Sequence, residues 1–118
     1  MKKYQVTIES AKGTCDKASF RKLAENGDVQ AEPISKQIGR ILNITGYAKC
    51  HIEAGEKSFD TYYYASDDGY YSSGSEYFKD SVETYFDDTN TFVIKQVETK
   101  KGHTFKATPI FEDGQNNE

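Results

Sequence analysis

Cysteine, histidine and long apolar runs are scarce in this 118-residue chain, and each scarcity excludes a class of protein. Cys15 and Cys50 match no Cys-x-x-Cys or Cys/His spacing, so no metal-binding framework is expected. No segment approaches the roughly 20 apolar residues of a membrane span. No apolar signal core follows residues 1–3, which argues against secretion. We therefore expect a cytoplasmic protein that carries two reduced thiols and makes no membrane contact.

Sequence patterns of catalysis and cofactor binding are also missing. His51 and His103 are the only histidines, and their spacing matches no metal motif. The serines do not occur in a Gly-x-Ser-x-Gly elbow, and there is no phosphate-binding glycine loop. The Asp67-Asp68-Gly69 run lacks the spacing of a calcium loop. We expect no enzyme activity, no catalytic residue, no metal and no cofactor.

The formal net charge of −4 conceals an uneven distribution of charge. Residues 1–22 carry six basic and two acidic side chains, and residues 95–106 carry four basic side chains and one acidic. Residues 58–90, in contrast, carry one basic side chain and eight acidic ones. One small domain can therefore present a basic face and an acidic face. The net negative charge excludes a uniformly basic protein, and it does not exclude a nucleic-acid partner.

Nine tyrosines and seven phenylalanines argue against disorder in most of the chain. We expect a single domain over residues 1–111, with an N-terminal strand and helix extension (1–35) and a core (36–111). Residues 112–118 contain no apolar side chain, which predicts a flexible acidic tail.

The hydrophobic periodicity predicts a mainly β fold. Strands are predicted over 3–9, 38–52, 58–65, 70–71, 91–98 and 103–111, a short helix over 16–27, and a helix of about three turns after Ser75. Gly46 is predicted to bend the long strand so that it serves two sheets. From residue 38 onward this is the element order of an oligonucleotide/oligosaccharide-binding (OB) barrel, with five strands and a helix between strands three and four. An unrelated α+β sheet with the same order is the alternative.

Tyrosines and interleaved lysines are the chemically informative feature, because aromatic rings stack on exposed bases while lysines contact phosphates. Taking Phe59 as a core residue, strand alternation predicts that Tyr62 and Tyr64 point outward, and a register error of one residue would invert this. The predicted DNA-binding residues are Arg40, Tyr47, Lys49, Tyr62, Tyr64, Tyr71, Lys95, Lys100, Lys101 and Lys106. The competing interpretation is that the tyrosines are half-buried and the lysines only solvate sheet edges.

Residues 36–47, 59–78 and 97–107 resemble the single-stranded DNA-binding proteins of phages that infect lactic-acid bacteria. The resemblance implies an OB-type barrel, self-association, and a role in phage DNA replication or recombination in the host cytoplasm. Phage replication or recombination proteins are then possible partners. The tail departs from bacterial proteins of this function, because it lacks a terminal apolar hook for partner enzymes.

We therefore expect sequence-tolerant binding of single-stranded DNA by a homo-oligomer, with a dimer as its smallest state. The alternative is a protein-interaction module, such as a phage accessory or virion component that uses the same aromatic surface. An acidic DNA mimic fits less well, because the basic ends would have to be hidden.

Overall fold

The computed structural model describes residues 5–111, which form seven strands and two α-helices. The elements are β1 (Gln5–Gly13), α1 (Ala18–Glu25), β2 (Ala31–Pro33), β3 (Ile41–Ala54), β4 (Lys57–Ser66), β5 (Gly69–Ser73), α2 (Glu76–Tyr85), β6 (Thr91–Thr99) and β7 (Gly102–Pro109). Every predicted strand and helix is present, and β2 is one strand more than predicted. The start of the predicted first strand and the acidic tail 112–118 lie outside the described residues.

The long strand β3 belongs to two sheets. Its residues 41–43 pair with β6, whereas Ile44 to Ala54 pair with β4, and the register shifts between Ile44 and Gly46. A Cβ atom on Gly46 would lie 2.6 Å from the backbone nitrogens of Thr14 and Cys15. Only glycine at position 46 allows the backbone of Thr14 and Cys15, which follows β1, to approach β3 this closely. The predicted bend at Gly46 is confirmed.

The strands form a curled, mixed sheet with the order β2-β5-β4-β3-β6-β7, and β1 also pairs with β3. The β2–β5 pair is parallel and the others are antiparallel. Within residues 5–111, β2 and β7 are the two ends of this order, so the hydrogen-bonded ladder does not close on itself. The prediction of a mainly β, barrel-like fold is confirmed, and the structure shows a half-barrel.

Apolar side chains pack on both faces of this sheet. The inner cluster, enclosed by the half-barrel and α2, contains Ile34, Leu42, Ile44, Tyr47, Tyr62, Tyr64, Tyr71, Phe78, Val82, Phe92, Ile94 and Ala107. The outer cluster, where α1 packs, contains Val6, Cys15, Phe20, Ala24, Ala48, Cys50, Ile52 and Ala65. Strands β3 and β4 are therefore covered on both sides, unlike the half-buried strands that strict alternation describes.

Helix α2 covers the inner cluster. The Ser75 hydroxyl accepts a hydrogen bond from the Phe78 backbone nitrogen at 3.1 Å, which caps the start of the helix. Phe78 and Val82 are buried, and the Ala107 backbone N–H donates to Ser81 Oγ at 2.8 Å. The helix is thus attached directly to β7. Within residues 5–111 no helix has the length and apolar character needed to cross a membrane.

Candidate nucleic-acid interface

The tyrosines that were predicted to stack on bases lie inside the half-barrel. Tyr64 is 0% exposed, Tyr62 and Tyr71 are each 4% exposed, and Tyr47 is 7% exposed. The Tyr64 ring packs edge-on against Phe78 with centroids 5.1 Å apart, and burial raises the pKa of its hydroxyl well above the usual value. A ring without an exposed face offers no platform to a base. The predicted outward orientation of these rings is therefore wrong.

The orientation failed because Phe59 is not a core residue. Phe59 is 50% exposed near the start of β4, where the core no longer covers the strand. Phe59 and Tyr63 share the outer face, whereas Tyr62 and Tyr64 share the inner face. Since a one-residue shift in register moves every side chain to the other face, one misassigned residue inverted the whole strand.

Helix α1 covers part of the outer face of β4 and β5 through its Phe20 side chain. The Phe20 ring lies 6.1 Å from the Tyr63 ring and 5.6 Å from the Tyr70 ring, and Phe20 itself is buried. In OB barrels the face of the second and third strands binds the oligonucleotide. In this chain Tyr63 and Tyr70 are partly covered there, and Phe59 is the more exposed aromatic ring.

Strands β6 and β7 with their turn form what we call the lysine hairpin (residues 91–109). Lys95 lies directly opposite Lys106 in the antiparallel register. Both point away from the core, because their neighbours Ile94 and Ala107 are buried on the other face. Lys100 and Lys101 form the exposed turn. Like charges that face each other across strands are unfavourable, so this arrangement favours an anionic ligand.

The lysines of this hairpin have no carboxylate partner in the part of the chain that the structure describes. The single acidic residue of the hairpin, Glu98, lies opposite His103, and its carboxylate is 3.4 Å from His103 Nδ1. By strand alternation Glu98 points to the face opposite that of Lys95 and Lys106. The outer face of the hairpin is thus basic without internal compensation.

Arg40 and Lys49, the two other predicted phosphate ligands, already have acidic partners. Arg40 forms an ion pair with Asp68 at 3.3 Å and also donates to the Tyr71 hydroxyl. The Tyr71 hydroxyl donates to Asp68 at 3.0 Å, and this bond lowers the pKa of the Asp68 carboxyl. Lys49 Nζ lies 3.7 Å from Glu9. Either side chain would have to exchange an internal partner for a phosphate.

Sequence reasoning missed two exposed aromatic residues and one lysine. Lys57 and Phe59 are both exposed on β4 and, being two residues apart, lie on the same face. Lys57 has no carboxylate partner in the described ranges. Tyr77 is half exposed on α2, and its position outside the face that Phe78 and Val82 form was a signal that could have identified it.

Comparison with known proteins gave no family model, no curated protein and no solved structure that matches this chain.

Proposed function

We propose that this protein binds single-stranded DNA without sequence preference, and that the lysine hairpin contacts the phosphates. The observation that carries the proposal is the directly opposed pair Lys95 and Lys106, which has no carboxylate partner within residues 5–111. A phosphate between the two ammonium groups would convert a repulsive pair into an attractive triad. Release of counterions from the DNA would add to the affinity.

The half-barrel is proposed to be of the OB type. Three features support this: the bent strand β3 shared by two sheets, the helix between β5 and β6, and the run β5-β4-β3-β6-β7 within the strand order. In OB barrels the loop between the fourth and fifth strands contacts the nucleic acid. The corresponding loop here is the turn of the lysine hairpin.

Phe59 is the proposed stacking residue, in place of the buried tyrosines. It is the most exposed aromatic ring on the strands described, and Lys57 next to it can contact a neighbouring phosphate. Tyr77 is equally exposed, but it lies on α2 among three acidic residues (Glu76, Asp80 and Glu83) whose charge Lys79 neutralises only in part, so this surface repels DNA. Because stacking needs an unpaired base, Phe59 favours single strands over duplex.

The proposal is tested by fluorescence anisotropy with labelled oligo-dT over a range of salt concentrations. The double variant Lys95→Ala/Lys106→Ala is compared with Lys17→Ala/Lys22→Ala, which removes the same charge from exposed lysines at α1 that have no carboxylate partner within residues 5–111. Removing two phosphate contacts should reduce the slope of log affinity against log salt by about 1.4, at about 0.7 per contact.

Three results would contradict the proposal. The first is the absence of oligo-dT binding by the wild-type chain at low salt. The second is binding to duplex that equals or exceeds binding to the single strand. The third is an equal loss of affinity in the hairpin variant and in the α1 control, which would place the contacts elsewhere or make them diffuse.

A protein-interaction module remains the second candidate, on a different surface from the one predicted. The tyrosines expected to form that surface are buried, but Tyr77 on α2 is half exposed beside acidic side chains. Tyrosine is enriched at interfaces, and this surface suits a basic partner. If Tyr77→Ser leaves oligo-dT binding intact but abolishes capture of a basic peptide, the second activity exists.

A further inference from the structure

Ionisable side chains from three neighbouring strands meet on one face of the sheet, at the end of β3 that does not pair with β6. One ligand atom each from Glu9 on β1, His51 on β3 and Asp60 on β4 lie within 4.8 Å of one another. His51 Nδ1 is 2.8 Å from Asp60 Oδ1, and His51 Nε2 is 3.8 Å from a carboxylate oxygen of Glu53. The imidazole is therefore surrounded by carboxylates.

A β-bulge in β1 contributes Glu9 to this group. Ile8 pairs with Cys50 and Ser10 pairs with Lys49, so Glu9 has no partner of its own in the ladder. A bulge kinks the strand and re-aims the side chain of the extra residue. Here the Glu9 carboxylate points toward Lys49 and His51.

The charges in this group do not balance. Three carboxylates, from Glu9, Glu53 and Asp60, are opposed by Lys49 and by an imidazole that carries charge only when protonated. With a neutral imidazole the group carries two uncompensated negative charges. A divalent cation would neutralise both of them.

The donor set indicates which cation fits. Zinc accepts both imidazole nitrogens and carboxylate oxygens as ligands, at about 2.0–2.2 Å from the ion. Magnesium and calcium prefer oxygen ligands alone. Imidazole as a donor therefore favours zinc over both of these ions.

We propose that Glu9, His51 and Asp60 bind a Zn²⁺ ion, with water completing the coordination, while Glu53 lies beside the other ring nitrogen of His51. The ion binds at His51 Nδ1, where a proton lies in the hydrogen bond to Asp60 Oδ1, and Asp60 moves aside to admit it. A neutral imidazole transfers this proton to Nε2, whereas a protonated imidazole releases it to solvent, so that in both cases a neutral ring with an Nε2–H holds the ion. Bound zinc links β1 to β3 and β4, so it should also stabilise the fold. The proposal does not depend on DNA binding.

Isothermal titration calorimetry of the chelator-treated, full-length protein with ZnCl₂ tests the proposal. One ion per chain is expected, and MgCl₂ at the same concentrations should give no comparable binding. His51→Ala should weaken zinc binding by at least about tenfold, since even outer-shell changes at metal sites have effects of this size. His103→Ala is the matched control, because His103 also lies beside one carboxylate, that of Glu98.

Glu9→Gln keeps the size of the side chain at an exposed position and tests the site if His51→Ala disturbs the fold. It should weaken zinc binding, whereas Lys95→Ala/Lys106→Ala should leave it unchanged. Zinc binding that survives both His51→Ala and Glu9→Gln would overturn the assignment. So would an equal loss in His103→Ala, equal binding of magnesium, or no binding by the wild-type chain, which would leave an ordinary His–carboxylate ion pair.

Discussion

Lys95 and Lys106 lie directly opposite each other on adjacent antiparallel strands, with no carboxylate partner in the part of the chain described. A cross-strand pair of this kind weakens the free protein. This loss of stability in the free protein is expected if an anion binds between Lys95 and Lys106 when the protein functions. Stability and DNA affinity should then respond in opposite directions to the same substitution.

Lys95→Glu should therefore stabilise the free protein and weaken its binding to oligo-dT. The substitution replaces a repulsive cross-strand pair by an attractive one, and we expect a gain of about 0.2–1 kcal/mol in the free energy of unfolding. Urea denaturation and anisotropy on the same samples measure the two effects. Lys36→Glu, at an exposed position before β3, is the control and should change neither the free energy of unfolding nor the affinity strongly. A loss of stability in Lys95→Glu would contradict the interpretation.

The same conservative change should have opposite effects at two buried tyrosines. The Tyr64 hydroxyl is buried and has no hydrogen-bond partner in the described residues, whereas the Tyr71 hydroxyl donates to Asp68. Removing an unsatisfied buried hydroxyl in Tyr64→Phe should raise the free energy of unfolding by about 1–3 kcal/mol, whereas Tyr71→Phe should lower it by about 1 kcal/mol. Urea denaturation distinguishes them, and neither variant should lose oligo-dT affinity. A large loss of affinity in Tyr64→Phe would reinstate that residue as a contact.

Gly46→Ala should be among the most destabilising single substitutions in the chain. Its Cβ would meet backbone atoms of Thr14 and Cys15 at 2.6 Å, which cannot move aside as a flexible side chain can. We expect a loss of about 3 kcal/mol or more, at or above the usual range for overpacking. Gly74→Ala is the matched control, because no atom lies within 4 Å of its Cβ position. Comparable urea midpoints for the two variants would show that the bend tolerates a side chain.

Both thiols should be unreactive in the folded protein at neutral pH. Burial raises the pKa of Cys15 to about 12 and that of Cys50 to about 11, so the reactive thiolate is almost absent. Ellman's reagent should label these cysteines only after denaturation. Both folded pKa values exceed the ordinary value of 9.0. The contribution of the two buried, protonated thiols to the free energy of unfolding is therefore complete below pH 9.0 and is lost progressively above it. Rapid labelling of the native protein at neutral pH would contradict the burial.

Self-association is expected through an unpaired sheet edge. Within residues 5–111, β7 pairs only with β6; Ala107 on its other edge donates to Ser81 Oγ of α2, and the part of that edge nearer the turn has no strand partner. Light scattering should give at least twice the chain mass of 13.3 kDa. A mass of 13.3 kDa that does not change with concentration would refute the dimer.

Local patterns in the sequence were sufficient for the order of the elements. Alternation and helical periodicity predicted each strand and helix from β3 onward, because these periods arise from backbone geometry that neighbouring residues impose. Gly46 predicted the bend, since glycine tolerates the close approach of another backbone. The exposure of Lys100 and Lys101 was also predictable, because a hairpin turn has no interior in which to bury two ammonium groups.

The tertiary structure alone decided which face of β4 is inside. Alternation divides the side chains of a strand into two faces, but it identifies the buried face only when the other face is exposed to solvent. In this protein α1 packs on the outer face of the sheet and the half-barrel encloses the inner face, so both faces carry buried side chains. Tyr62 and Tyr64 were therefore indistinguishable from Tyr63 by pattern. The group of Glu9, His51 and Asp60 was equally invisible, because strand pairing brings together residues that are far apart in sequence and match no linear motif.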